Sequence, residues 1–228
     1  MTRPWRGKRY ANGRPRGADA VLARLETVAV NDACDLLADC AYEHNYAGDW
    51  IVLFPDQVLV GRSVTCRWVP IRPDLHGAII DRGEKDDRIG FPNSWVIDEL
   101  VDGDVLVADL FGAINLVGDN LTTAINANGG RGMVIDGGLR DLRRIKMIPN
   151  FCPYVKRVHP EAIPGVTMPE INDVTRIGPA TCLPGDVVLG DGSGVVFIPP
   201  HLAAKVADYA GDRCNAKSDA TKKEHLHP

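Results

Sequence analysis

Two short clusters in this chain carry side chains able to do chemistry. The first is Gly118-Asp119-Asn120-Leu121. Gly118 permits a sharp turn, and Asp119 stands where a helix would start, able to cap its free N–H groups. The first N–H groups of that helix, at Asn120 and Leu121, point outward and carry the positive end of the helix dipole, which suits a small carboxylate. The second cluster is Val134-Ile135-Asp136-Gly137-Gly138-Leu139-Arg140-Asp141. An apolar strand runs into two glycines, read as a tight turn, with a new helix beginning near 139–141. Ligands of α/β proteins gather at the carboxyl ends of strands, and glycines let a substrate approach the backbone. Arg140 offers a planar fork for a carboxylate. Asp141 offers a hard oxygen suited to Mg²⁺, which takes one or two carboxylates and keeps several waters. Spacing alone leaves two readings open: a metal site, or two aspartates that cap helices beside an arginine.

The elements around the clusters read as follows. Val21, Leu22 and Leu25 fall at helical spacing within 18–26. Asn31 is a candidate N-cap for a second helix with Leu36 and Leu37 inward. IVLFP (51–55) and the alternating GRSVTCRWV (61–69) read as strands. DRGEKDDR (81–88) reads as a solvated loop. A short helix and a turn at Asp102-Gly103 precede a buried strand at 105–108, and residues 119–128 form a helix ended by Gly129-Gly130. Beyond Phe151 the chain is strand-rich, and HLAAKVADYA closes it as a helix. DGDVLVAD (102–109) and PGDVVLGD (184–191) echo one another, which convergent strand chemistry explains without a repeat. The order implies one α/β domain over 18–212, an irregular Arg/Gly/Pro-rich N-terminal arm over 1–17 and a tail over 213–228.

Composition narrows the function. Apolar content is 45%, charged content 25% and net charge −4, which gives no electrostatic case for binding nucleic acid. No apolar run approaches the ~20 residues that span a bilayer, and the basic N-terminus lacks the apolar core of a secretory signal. It reads as a solvated or subunit-clasping arm. Cysteines 34, 40, 66, 152, 182 and 214 show no zinc spacing and read as buried free thiols of a reducing cytoplasm. The terminal HLHP and the sequon at Asn120 carry little.

The stretch GDNL…GGRGMVIDGGLRDL resembles the signature of the 4-hydroxy-4-methyl-2-oxoglutarate aldolase family, which also includes the regulator of ribonuclease activity A. The similarity extends over about 27–206, through VAVNDACDLL, GDVLVAD and LPGDVVLGDGSGVVFIPP. It implies a swivelling β/β/α, phosphohistidine-domain-like fold, assembled as a homotrimer or dimer of trimers with sites between subunits. It implies that Asp141 binds a divalent cation (Mg²⁺, Mn²⁺ or another) directly and Asp119 binds it through a water. Arg140 would contact substrate and that water, and the backbone at Gly118, Asn120 and Leu121 would hold a pyruvyl carboxylate. The activity implied is cleavage of a 4-hydroxy-2-oxo acid to pyruvate, with oxaloacetate decarboxylation at the side. Glu224 is a candidate for the carboxylate that a neighbouring subunit can add.

Residues 68–95 depart from the standard aldolase, and Arg72, Asp74 and His76 there are either binding groups or a solvated loop. The pyruvyl end therefore carries over better than the substrate's identity, and a 2-keto-3-deoxy sugar acid stays open beside the branched dicarboxylate. A non-catalytic ribonuclease-regulator-like module is the first rival, disfavoured by the intact Asp119 and Asp141. A methyltransferase is the second. Its only support, GDGSG (190–194), is followed by an apolar strand and reads as a hairpin turn.

Overall fold

A computed structural model describes residues 4–112, 115–163 and 165–211. Cys214, Glu224 and the terminal histidines lie outside these. The helices are α1 (Asp19–Leu25), α2 (Val30–Asp39), α3 (Pro73–Lys85), α4 (Pro92–Asp98), α5 (Asp119–Ala127), α6 (Leu142–Ile145) and α7 (203–211). The strands are β1 (Tyr46–Ala47), β2 (Ile51–Val52), β3 (Leu59–Pro70), β4 (Asp104–Asp109), β5 (Asn115–Val117), β6 (Gly132–Leu139), β7 (Cys152–Val158), β8 (Val166–Ile171), β9 (Thr175–Ile177), β10 (Ala180–Cys182), β11 (Val187–Asp191) and β12 (Gly194–Ile198). A mixed sheet runs β1-β12-β11-β3-β4-β6-β7-β2, with β5 on β6 and β8 on β3. Its centre, β3-β4-β6-β7, is parallel.

Both faces of that centre are covered, so β3 is buried almost throughout instead of alternating. Val64, Cys66, Leu106, Met133 and Ile135 pack beneath α3, α4 and α5. Farther along the sheet, α1, α2 and α7 cover Val60, Leu189 and Val196. On the other face Val105, Val107, Val134 and Phe197 pack against the β9–β10 hairpin. Among the described residues no helix is long and apolar enough to cross a membrane.

Several local expectations change. The run 81–88 is mostly helical, because α3 extends to Lys85 after Pro73 at its first position, and its charges occupy the exposed side of a helix that buries Ile79 and Gly83. Asn31 lies inside α2. The Val30 N–H is met by Asp191 Oδ2 at 3.0 Å, a cap supplied from the β11–β12 hairpin. The strand at 51–55 shortens to Ile51–Val52. Gly137 and Gly138 lie within β6, at a register shift against β7, and make no turn. A Cβ on Gly138 would stand 2.1 Å from Asn115 Oδ1, so close packing of strands explains that glycine. GDGSG is a hairpin turn, with Asp191 paired to Gly194.

The echo of 102–109 and 184–191 has a local cause. Gly103 and Gly185 both adopt positive φ (81° and 83°). Asp104 and Asp186 then each accept from the N–H three residues back, Val101 at 3.0 Å and Leu183 at 2.8 Å. The same turn opens two strands. The two acids differ in company. Asp104 is gripped by Arg14 at 2.9 and 2.6 Å, with Arg62 Nε at 3.5 Å. Burial pushes the Asp186 carboxyl up to about 7.

Candidate functional site

Parallel pairing brings the two clusters together. β5 lies against the end of β6, with Val117 in register with Leu139. The residues that follow each strand must therefore emerge side by side. Arg140 N–H donates to Val117 O at 3.2 Å, and Asp119 N–H points at Asp141 Oδ2 at 3.4 Å. Arg140 Nε stands 3.5 Å from the same oxygen. Asp141 holds a left-handed backbone (φ 61°, ψ 30°) that swings the chain into α6; aspartate tolerates this better than most residues.

Neither aspartate caps its helix. Gly118 occupies the cap position of α5 and Asp119 is the first helical residue. Asp141 precedes α6, which starts at Leu142, without a side-chain cap bond. The Asp119 carboxylate instead meets Arg144, Nη1 to Oδ2 at 2.8 Å. No local spacing signals Arg144, which lies on α6 and reaches Asp119 across the chain. The Arg144 guanidinium holds the Asp119 carboxyl below its ordinary value of 3.8. The interaction is thus present above the ordinary carboxylate value and is lost as pH falls through the lowered one. In a carboxyl-carbon NMR titration, the Asp119 midpoint should lie below 3.8 and move upward in Arg144→Ala; an unmoved midpoint would refute the pairing.

Gly118 is a steric requirement, since its φ of −117° suits any residue. A Cβ there would lie 2.4 Å from Asp141 Oδ2 and 2.9 Å from Arg140 Nε. Both are side-chain atoms and can shift, so Gly118→Ala should disturb the site more than the fold. We expect activity to fall by about a hundredfold, the scale of a 1 Å misplacement, with a melting temperature lowered by only a few degrees. Equal losses in activity and folded fraction would contradict this.

A cavity of about 260 Å³ opens beside these groups, lined by Gly118, Asp119, Asn120, Leu121 and Arg140 on one side. Asn93, Asn115 and Glu161 line it too, and none was singled out from the sequence. Asn93 comes from α4, so residues 68–95 do reach the cavity, whereas Arg72, Asp74 and His76 do not line it. Arg72 pairs with Asp74 at 2.6 Å in the open, and His76 Nδ1 meets Thr167 Oγ1 at 3.1 Å. A larger hollow, about 760 Å³, lies at the opposite, amino ends of the strands near Leu59, Arg131 and Cys152. We place the site at the carboxyl ends, where α5 presents its amide terminus; the first intrahelical bond is Thr122 N–H to Gly118 O.

Other reactive groups are committed elsewhere. Asp136 accepts from Gly178 N–H at 2.9 Å and Asp109 from Phe111 N–H at 2.8 Å. The thiols at 34, 40, 66, 152 and 182 are free, and burial pushes Cys66 up to about 12 and Cys152 to about 11, far from a nucleophile's range. Among the described residues no three His, Cys, Asp or Glu side chains cluster as metal ligands. A thiolate- or imidazole-rich centre is therefore absent there. Asp141 and Asp119 are neighbours through the Asp141 carboxylate and the Asp119 N–H, and carboxylate oxygens suit a hard cation that retains waters.

The RraA-like family pattern, Aldolase/RraA, matches residues 30–197. This chain belongs to the RraA-like family. A putative 4-hydroxy-4-methyl-2-oxoglutarate aldolase of Halalkalibacterium halodurans is 32% identical over 99 residues, 42% of this chain and 47% of that protein. The chain spans less than half the length of the curated relatives it matches. An uncharacterised protein from Pseudomonas syringae superposes with a TM-score of 0.76 at 21% identity, covering 97% of this chain and 96% of that one. Streptomyces coelicolor RraAS2, described as an unusual member of the RNase ES inhibitor RraA protein family, gives 0.76 at 23%, covering 91% and 100%. These likenesses establish the α/β fold of the RraA-like proteins for this chain.

Proposed function

We propose that this protein is a divalent-cation-dependent lyase that releases pyruvate from a 4-hydroxy-2-oxo acid. One observation carries the proposal: the register of β5 on β6 sets Asp119, Arg140 and Asp141 around Gly118, beside the amide end of α5. The aldolase name of the Halalkalibacterium relative supports it. The regulator reading shares the family match and the fold, and no observation at the site favours it.

Asp141, with Asp119 through a water, would hold Mg²⁺ or Mn²⁺. Bound there, the cation supplies Lewis acidity toward the 2-oxo group. The backbone amides at Asn120 and Leu121 take the substrate carboxylate. Arg140 donates to the 2-oxo end with a fork that lysine lacks. Cleavage breaks C3–C4: the C4 hydroxyl loses its proton as C4 becomes a carbonyl, the bonding pair passes toward the 2-oxo group, and C3 then takes a proton from water to give pyruvate. Asp119, kept ionised by Arg144, stands beside the cavity and would orient the water that takes up the hydroxyl proton. Loss of CO₂ from oxaloacetate leaves charge in the same place, so these groups serve both reactions. We assign the protein to the cytoplasm, where buried thiols stay reduced, and to a homotrimer or dimer of trimers. The test is pyruvate release from oxaloacetate with Mg²⁺ and with chelator. Cation-dependent release supports the proposal, and equal rates in both overturn it.

A further inference from the structure

The cavity's charges are distributed unevenly, and this bears on the part of the substrate beyond the pyruvyl head. Among the described lining residues Arg140 is the one cation, and it stands 3.5 Å from Asp141, at the head. The remaining polar side chains are acids, Asp119 and Glu161, and amides, Asn93, Asn115 and Asn120. Glu161 is fixed in place through its backbone. Asn115, itself buried, donates from Nδ2 to His159 O at 2.7 Å and to Glu161 O at 2.8 Å. Glu161 N–H in turn donates to His159 Nδ1 at 3.3 Å. The Glu161 carboxylate stands 3.6 Å from that ring nitrogen.

Asp119 is paired with Arg144 at 2.8 Å and Arg140 stands at the head, so a second carboxylate on the substrate would meet a like charge at Glu161, at a cost that solvent screens in part. A hydroxylated, uncharged tail would find acceptors at Glu161 and both donors and acceptors at the amides. Resting on the lyase reading, we propose that this protein's substrate is a neutral-tailed 2-keto-3-deoxy sugar acid and that Glu161 selects against dicarboxylates. The cavity, about 260 Å³, is at the small end for ligand sites and suits a chain of about five or six carbons.

The test compares pyruvate release by the full chain with Mg²⁺ from three compounds. These are a 2-keto-3-deoxypentonate, 4-hydroxy-2-oxoglutarate, and oxaloacetate, whose leaving carboxylate sits at the cleaved bond and not at the far wall. The pentonate should exceed the hydroxyglutarate in kcat/KM by about tenfold or more, the scale of one like-charge contact at intermediate dielectric. Glu161→Gln should raise the dicarboxylate-to-neutral ratio about tenfold, and added salt should move the wild-type ratio the same way. Because the Glu161 side chain is more than half exposed, the substitution leaves the fold intact. Pyruvate from oxaloacetate together with preferred cleavage of the hydroxyglutarate, or a ratio unmoved in Glu161→Gln, overturns the tail assignment alone. Cation-independent behaviour, or no pyruvate from any of the three, overturns the lyase reading and this inference with it.

Discussion

Asp141→Ala should eliminate cation-dependent pyruvate release from oxaloacetate, lowering kcat/KM by about a thousandfold. Lewis-acid stabilisation is worth several kcal/mol, and each ~1.4 kcal/mol is a factor of ten. The side chain is partly exposed and makes no cap bond to α6, so the folded state loses little with it. The alanine loses only the long contacts to the Asp119 N–H at 3.4 Å and to Arg140 Nε at 3.5 Å, which are weak at a partly exposed site. Unfolding by urea should therefore be near wild type while Mg²⁺ no longer stimulates turnover. Retention of more than a tenth of the Mg²⁺-stimulated rate would show that the cation binds elsewhere or is not needed.

Asp104→Ala should be the costliest single change to stability, about 3–5 kcal/mol by urea unfolding at an unchanged denaturant slope. Asp104 is fully buried and accepts two bonds from Arg14, which is itself buried. Removing the acid leaves that guanidinium, and Arg62 beside it, without their shared anion. Arg14→Ala should cost less, because Arg62 stays 3.5 Å from Asp104 and is also held by Asp19 and the Asp102 carbonyl. A loss below about 1 kcal/mol in both variants would mean that these buried charges are solvated in a way the geometry does not convey.

Much of the site could be read in the sequence because its two halves are local. A strand, a glycine and an acid before a helix, and a strand ending in Arg-Asp, are each visible within ten residues. What could not be read is pairing. Arg144 meets Asp119 only because α6 folds back toward α5, and Asn115 grips His159 and Glu161 only because β5 and β7 both border β6. Local misreadings had physical sources. Gly137 and Gly138 have the composition of a turn, yet Asn115 requires a bare Cα at 138, so the strand runs through them. The charges of 81–88 masked a helix that buries only a narrow stripe. Val30 takes its cap from Asp191, more than a hundred residues away, so no neighbour of α2 revealed where it begins.

Neighbouring strands in a sheet lie about 4.8 Å apart, and β5 and β6 are such neighbours. The gap between their following residues is therefore a ruler that the backbone ladder enforces, whatever the surrounding loops do. On the proposed reading, head recognition would belong to that ruler and tail recognition to α4 and to 161–163, which hang from other parts of the chain. The architecture is modular in consequence: under the proposed function, changes in the tail-facing segments would alter the substrate while the strand ends keep their spacing.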